Sequence, residues 1–262
     1  MTPNDNPTML PAGYRLRPPT MDDIPACLTL IARCAEALGA PERYTPEELA
    51  AEWQSPGATL AHNFCVIEND KGDIVAYCEA WDTQTPPVAV WTWGRVDPAY
   101  EGKGLGTALM DWAEGLTTAA IKRCPPEAKV IMQAAAVNDY APARSLFLDC
   151  GMTPARQFYQ MKFRFDDQAP PAPVWPEGIV LQPYRHPEDL ETVVAITRDA
   201  FRDHWGFVER PFEEEMAQWR HQADSDPHFD SAYWLRAMDG EEAAGAVIGF
   251  PVSIAGPEYA YI

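Results

Sequence analysis

Three glycines alternate with other residues at Gly102, Gly104 and Gly106. They follow an apolar and aromatic run, residues 88–96, and open a segment with apolar residues at helical spacing that begins at Leu105. The start of a helix exposes backbone N–H groups and the positive end of the helix dipole, which together attract anions. Glycine has no side chain, so the backbone there can approach a diphosphate closely. The spacing predicts a binding site for phosphate groups.

Two common phosphate-binding folds do not fit this position in the chain. The dinucleotide-binding fold places its glycines after the first strand of a parallel series, whereas two predicted helices and an antiparallel hairpin come first here. A P-loop needs Lys followed by Ser or Thr after its last glycine, but Lys103 stands between glycines. Because glycines at this spacing also form ordinary turns, the surrounding elements decide the interpretation.

The elements around the glycines are predicted from hydrophobic periodicity and from helix and turn signals. Thr45, Pro46 and Glu48 form a capping pattern at a helix start, and residues 69–73, Asn-Asp-Lys-Gly-Asp, are typical of a hairpin turn. The predicted strands are residues 14–19, 60–68, 74–82, 88–96, 129–137 and 157–165, and the predicted helices are residues 20–39, 45–54, 141–151 and a helix of four to five turns from Leu105.

A proline-rich segment, residues 166–178, divides the chain and predicts an extended linker between two domains. The sequence after it repeats the beginning at a constant offset, so that Gly13, Leu16 and Pro18 match Gly178, Leu181 and Pro183. We therefore expect a first domain over residues 1–165 and a partial copy over residues 179–262, whose sequence ends before a second glycine loop.

The first domain resembles the GNAT superfamily of N-acetyltransferases. The similarity rests on Val96-Asp97-Pro98, on the glycine segment Glu101-Gly102-Lys103-Gly104-Leu105-Gly106, and on the later segment Ala-Arg-Ser-Leu-Phe-Leu-Asp-Cys-Gly-Met at residues 143–152. Membership implies an α+β fold, with a mixed and mostly antiparallel sheet flanked by helices, followed here by a partial GNAT-like domain without the loop that binds the coenzyme A pyrophosphate.

The resemblance also implies a cosubstrate and a reaction. Acetyl-CoA is expected in a V-shaped opening between two splayed strands, and its acetyl group passes directly to a bound amine. Its pantetheine would pair with backbone near Gly94, Arg95 and Val96, and Arg144 would meet a phosphate. Backbone amides would hold the pyrophosphate at Gly102, Lys103, Gly104, Leu105, Gly106 and Thr107. We expect a primary amine on a small molecule as the acceptor.

Two residues depart from the family pattern. Glu101 stands where Arg or Gln is usual and places a carboxylate beside the phosphates, with Lys103 as a compensating charge. Phe147 stands where many members have the tyrosine that protonates the departing thiolate, and a phenyl ring cannot donate a proton. These departures motivate an alternative hypothesis, a non-catalytic CoA-binding or scaffold module.

Direct transfer needs a group that accepts the amine's proton and a group that protonates the thiolate. Glu79 interrupts an apolar strand on the side of Tyr77 and Trp81, and it is the predicted proton acceptor; a solvent-facing carboxylate is the alternative. Tyr140 is the predicted acid, with simple packing as its alternative. Residues 200–219 combine aromatic and acidic side chains, which indicates either an amine pocket or a solvated acidic surface.

Composition narrows the partners and the compartment. A net charge of −19 repels nucleic acid and anionic membranes. The six cysteines lack Cys-x-x-Cys spacing, so we expect no metal site and reduced, buried thiols, which favours the cytoplasm. No signal sequence or membrane segment is predicted. The apolar segment at residues 258–262 predicts an exposed sheet edge and a homodimer formed through it.

Overall fold

The computed structural model describes residues 10–39, 44–159, 161–163, 165, 170–251 and 260–262. The described chain forms two α+β units, each built on its own sheet, and the mixed sheet with flanking helices confirms the predicted fold class. The strands of the first sheet are adjacent in chain order: β1 (Tyr14–Arg17), β2 (Phe64–Asn69), β3 (Ile74–Trp81), β4 (Ala89–Val96) and β5 (Ile131–Ala134).

Strands β1 to β4 pair antiparallel, and β5 runs parallel to β4. The helices of this unit are α1 (Ile24–Ala37), α2 (Pro46–Trp53), α3 (Leu60–Asn63), α4 (Leu105–Ile121) and α5 (Ala141–Asp149). The predicted capping box at the start of α2 is formed, with the Glu48 amide donating to the Thr45 hydroxyl at 3.2 Å.

The two faces of the first sheet are covered by different helices. Successive strand residues point to opposite faces, so Tyr77 packs with Trp53 in the core beneath α1 and α2. Its neighbour Cys78 packs with Leu105 and Leu109 beneath α4. This alternation determines which side chains of β3 and β4 share a face.

Two of the predicted strands differ from the structure. Residues 60–63 form the short helix α3, so β2 begins at Phe64. The described positions within residues 157–165 are not in a strand, and Phe158, Tyr159, Met161 and Phe163 are exposed. Alternating apolar and polar residues predict a strand, but a strand also needs a neighbour that supplies ladder hydrogen bonds. An alternating sequence does not show whether such a neighbouring strand is present.

The second unit repeats the order of elements at the beginning of the first. It contains β6 (Ile179–Pro183), α6 (Leu190–Ala200), α7 (Phe212–Ser225), β7 (Trp234–Asp239) and β8 (Glu242–Ile248), with the sheet order β6-β7-β8. Gly13 and Gly178, which precede the first strand of each unit, have φ values of 88° and 89°. Trp234, Leu190 and Val193 form its core.

The end of the described chain pairs back on the same chain. Tyr261 exchanges two backbone hydrogen bonds with Phe250, at 2.7 and 2.8 Å. Residues 258 and 259, within the segment expected to form a homodimer, lie outside the described residues. The homodimer stays a prediction.

The cysteines are all free, but they are not all in the core. Cys27, Cys34, Cys65 and Cys78 are buried, whereas Cys150 is exposed because it follows α5, a helix without buried residues. The expectation of six buried thiols is therefore wrong at Cys150. The described residues contain no group of three His, Cys, Asp or Glu side chains that could hold a metal, and no described helix is long and apolar enough to cross a bilayer.

Helix α7 of the second unit contacts helix α2 of the first. His221 donates from Nε2 to the Ala51 carbonyl at 2.8 Å, and Gln218 donates from Nε2 to the Pro56 carbonyl at 2.7 Å. The Ala51 carbonyl, in the last turn of α2, also accepts from the Gln54 amide at 3.1 Å, and Pro56 follows the end of the helix. The second unit therefore helps to fix the C-terminal end of α2.

We expect Gln218→Ala to destabilise the chain by about 1 kcal/mol, the usual net value of a neutral hydrogen bond. Gln222→Ala is the matched control, because Gln222 lies one turn further along α7 and is exposed. Urea unfolding of both variants measures the difference. Equal stabilities would show that the Gln218 contact contributes nothing to the packing of α7 on α2.

Candidate active site

Strands β4 and β5 part at one edge of the first sheet. Their pairing ends at Thr92 opposite Ala134, whereas β4 continues for four more residues to Val96. On its other side β4 stays paired with β3 as far as Val96. An opening therefore forms beside the last residues of β4, at the place where the predicted V-shaped cleft is expected.

Alternate residues of β4 direct their backbone N–H and C=O groups toward this opening. The Asp97 amide donates to the Val75 carbonyl at 2.9 Å, so Asp97 and Arg95 direct their backbone groups toward β3. Backbone groups of neighbouring strand residues alternate in direction, so Gly94 and Val96 direct theirs toward the opening. The Cys34 thiol donates to the Val96 carbonyl at 3.3 Å. Of the three predicted residues, Gly94 and Val96 present the backbone that an extended ligand could pair with.

Asp97 anchors the chain where it leaves the sheet. Its side chain is 3% exposed, and its carboxylate accepts hydrogen bonds from the Ala99 amide at 3.0 Å and from the Arg33 guanidinium at 2.5 Å. An aspartate that bonds the amide two residues later forms a stable turn. The Arg33 contact joins this turn to α1, a link that the sequence did not indicate.

The glycine segment forms the turn that opens α4. Gly102 and Gly104 have φ values of +71° and +80°, a conformation that favours glycine, and both are exposed. The Ala108 amide donates to the Gly104 carbonyl at 3.1 Å. The amides of residues 105–107 precede this bond in the first turn, where helix amides lack intrahelical acceptors. The loop therefore fits a diphosphate, since exposed backbone meets the N-terminus of a 17-residue helix.

Gly106 is glycine for a different reason. A Cβ atom there would lie 2.9 Å from Cδ2 of Leu146, so the missing side chain makes room for α5 to pack against α4. Lys103 is exposed, and its ammonium lies 4.2 Å from the centroid of the Tyr100 ring. A cation over an aromatic face is attracted to it, which holds this positive charge beside the loop.

Two of the predicted residues on the α5 side make polar contacts within the chain. The Tyr140 hydroxyl donates to the Glu101 carboxylate, which joins residues 39 apart in the sequence. Burial and this hydrogen bond raise the pKa of Tyr140, so the phenol is protonated at neutral pH. Arg144 is exposed and donates to the Asn138 carbonyl at 3.1 Å.

Glu79 is buried rather than solvent-facing, with 8% of its surface exposed. The Tyr77 hydroxyl donates to its Oε2 at 2.9 Å, and the Trp53 indole donates to the Tyr77 oxygen at 3.0 Å. Glu79 pairs across strands with Trp93. Because Gly94 lies toward Leu109 on the α4 face, Glu79 and Trp93 lie on the opposite face, beneath α1 and α2.

The sequence interpretation missed a second carboxyl group on this face. Burial, followed by the charge of Glu79, raises the pKa of Glu52 on α2. The signal that could have found it is helical spacing, since Glu52 follows the buried Leu49 by three residues. Residues three apart share a helix face.

The acidic connection between α6 and α7 lies elsewhere. Together with Gln84 it lines a cavity of about 230 Å³ whose walls include Phe207 and Trp219. Glu215 also lines this cavity and is paired with Arg198 at 3.0 Å, so its charge is balanced within the chain rather than solvated. Gln84 lies in the segment joining β3 to β4, at the end of the sheet away from the opening.

Comparison with known proteins agrees with this geometry. Residues 25–152 match the model of the acetyltransferase (GNAT) family. The mycothiol acetyltransferase of Salinispora arenicola is 28% identical over 241 residues, which cover 90% of this chain and 68% of that protein. The mycothiol acetyltransferase of Salinispora tropica is 27% identical over 240 residues, with the same two coverages.

Among solved structures, a GCN5-related N-acetyltransferase from Sphaerobacter thermophilus matches with a TM-score of 0.70 and 27% identity, over 92% of this chain and 73% of that one. The residues that match the GNAT acetyltransferase family, 25–152, lie within the first unit and make up nearly half of the chain. The chain is an acyltransferase, and acetyl-CoA is its cosubstrate.

We expect Gly102→Ala to weaken acetyl-CoA binding by about tenfold, the loss that follows when a hydrogen bond to a charged group is broken. The matched control is Gly72→Ala in the β2–β3 turn, because Gly72 also has a positive φ, +84°, and open space around its Cβ position. Both variants should lose about 1–2 kcal/mol of stability from the left-handed backbone. Titration calorimetry compares them, and equal affinities would remove the loop from the binding site.

Proposed function

We propose that the chain transfers the acetyl group of acetyl-CoA directly to a primary amine of a small molecule. The observation that carries the proposal is the continuous surface from the outward-facing backbone of Gly94 and Val96, through the turn held by Asp97, to the glycine loop at the start of α4. An extended pantetheine chain and a diphosphate require these two surfaces in this order.

The reaction needs two proton transfers, one from the amine to the protein and one from the protein to the departing sulfur. Acetyl-CoA supplies a thioester; the transfer forms an N–C bond to the amine and breaks the C–S bond. One proton must leave the amine nitrogen, and one must reach the departing sulfur. The chain offers a carboxylate and a phenol for these tasks.

We assign Glu79 as the acceptor of the amine's proton. Its carboxyl group is buried on the face that carries Trp93, the first residue of β4 beyond its pairing with β5, and a hydrogen bond from Tyr77 orients it. A buried carboxylate attracts an ammonium strongly because water does not screen the interaction. It can therefore bind the incoming amine and take its proton.

We assign Tyr140 as the group that protonates the sulfur, in place of the tyrosine that Phe147 replaces. Its raised pKa keeps the proton on the phenol at neutral pH, and its hydroxyl must leave Glu101 to reach a ligand. The same contact directs the Glu101 carboxylate toward Tyr140, which reduces the repulsion between Glu101 and a bound diphosphate.

The acceptor belongs to the class of small amines. The mycothiol acetyltransferases named above support a small-molecule acceptor, and the net charge of −19 favours a cationic one over nucleic acid. The absence of a nucleic-acid partner, the homodimer and the cytoplasmic location remain expectations from the sequence.

Two measurements test the proposal together. Calorimetry with acetyl-CoA should give one binding site, and a thiol-release assay over a panel of amines, polyamines, amino acids and aminoglycosides should give turnover with at least one of them. Binding without turnover on any amine would favour the non-catalytic module. Absence of binding would contradict both hypotheses.

We expect Glu79→Gln to lower kcat/KM about 100-fold or more while acetyl-CoA affinity is unchanged, since general base catalysis contributes about 10²–10⁴-fold. Glu127→Gln, at an exposed position, is the control. Steady-state kinetics over a pH series measures the effect. Wild-type activity in Glu79→Gln would exclude Glu79 as the base.

We expect Tyr140→Phe to lower kcat about 100-fold, because general acid catalysis contributes about 10²–10⁴-fold. Tyr159→Phe, which removes the hydroxyl of an exposed tyrosine, is the matched control. The thiol-release assay at saturating amine measures kcat. An unchanged kcat would show that the sulfur receives its proton from another source.

A further inference from the structure

We infer that the cavity of the second unit binds a small carboxylic acid with an apolar body, at a site separate from the acetyl-CoA opening. The cavity measures about 230 Å³ and lies between α6, α7 and the segment that connects them, residues 201–211. Gln84 of the first unit forms part of its wall. The proposed acetyl transfer does not use this cavity, so the inference goes beyond the proposed function and does not depend on it.

Each of the two helices turns one face toward the cavity. Val194, Thr197 and Arg198 line it from α6, and Glu215 and Trp219 line it from α7. Residues three or four apart share a helix face, so these positions form one strip on each helix. The cavity is therefore bounded on two sides by regular structure.

The connecting segment closes a third side with turns of fixed backbone. The His204 amide donates to the Phe201 carbonyl at 3.0 Å, and the Phe207 amide donates to the His204 carbonyl at 3.1 Å. Gly206 has a φ value of +79°, a conformation that favours glycine. Sites for small molecules are usually concave and largely formed before the ligand binds, and this wall has that property.

The wall contains one acid, and its charge is balanced within the chain. Of the described residues that line the cavity, Glu215 is the one acid. Arg198 donates to Glu215 at 3.0 Å and to Glu209 at 3.1 Å. Arg198 also donates to the Arg210 carbonyl at 2.7 Å, and the side chains of Arg198 and Glu215 are 14% and 17% exposed. A cationic amine would have to displace Arg198 from Glu215, so this wall does not favour one.

Arg210 supplies the remaining charge of the wall. Its side chain makes no hydrogen bond or ion pair with another described residue. The two N–H groups of a guanidinium match the two oxygens of a carboxylate. The net charge of −19 repels anions from most of the surface, so a site for an anion needs a local cation. Arg210 is that cation.

The other lining residues determine the body of the ligand. Most of them are apolar, with two branched aliphatic side chains and three aromatic rings: Val194, Val208, Phe201, Phe207 and Trp219. Such walls favour a flat or branched apolar group. The cavity is smaller than the ~300–1,000 Å³ of sites for drug-sized ligands. It therefore suits a molecule with one ring and a short acidic side chain.

Three probes of nearly equal shape test the charge of the ligand: phenylacetate, the neutral phenylacetamide and the cationic 2-phenylethylamine. Titration calorimetry of the full chain should give one phenylacetate site. Phenylacetamide should bind about tenfold more weakly, the usual effect of losing a hydrogen bond between charged groups. Equal binding of acid and amide, tighter binding of the amine, or absence of phenylacetate binding would overturn the inference.

Variants locate the site. Arg210→Gln should weaken phenylacetate binding about tenfold and change phenylacetamide binding by less than about threefold, because the amide loses no charged partner. Arg220→Gln is the matched control, since Arg220 is an exposed arginine of α7 outside the cavity wall, and it should bind phenylacetate like wild type.

Val208→Trp should abolish binding of both probes, because the larger side chain fills the cavity, and it serves if Arg210→Gln does not fold. Wild-type affinity for phenylacetate in Arg210→Gln or in Val208→Trp would overturn the inference.

Competition with acetyl-CoA separates this site from the proposed function. Gln84 lies in the segment joining β3 to β4, at the end of the sheet away from the opening, so saturating acetyl-CoA should leave phenylacetate affinity unchanged. A chain that binds phenylacetate but acetylates no amine would contradict the proposed function and support this site. Displacement of phenylacetate by acetyl-CoA would overturn the separate site.

Discussion

The site depends on one strand continuing past its neighbour. β5 ends opposite Thr92, whereas β4 runs on to Val96. Backbone donors and acceptors rarely stay without partners, and the Cys34 thiol supplies one for the Val96 carbonyl. An extended ligand with amide groups fits this edge because it can supply the hydrogen bonds that a longer β5 would have made.

The proposed phosphate end of the site presents backbone amides rather than cationic side chains. This suits a chain with a net charge of −19, in which Lys103 is one exposed cation beside the loop. Fixed N–H groups at a helix start attract an anion without a flexible side chain having to be ordered. Glu101 is the one carboxylate of the loop. The Tyr140 hydroxyl donates a hydrogen bond to it and so fixes the direction of this negative charge.

Helix α7 of the second unit supports α2 of the first unit. Residues of α7 bond backbone carbonyls at Ala51 and Pro56, at the end of the helix that carries Glu52. Changes in α7 would therefore act on the end of α2, where the Trp53 indole donates to the hydroxyl of Tyr77, which in turn donates to Glu79.

Local features of the sequence determined the glycine loop, the capped start of α2, the hairpin after β2 and the strands β3 and β4, because caps, turns and hydrophobic periods act between residues close in the chain. The same patterns placed Glu79 on the face of Tyr77. Only the tertiary structure decided that the Trp53 indole of α2 bonds Tyr77, that Tyr140 bonds Glu101, and that the described positions in residues 157–165 are not in a strand. These outcomes depend on which distant segments pack together, and residue spacing within one segment does not determine that.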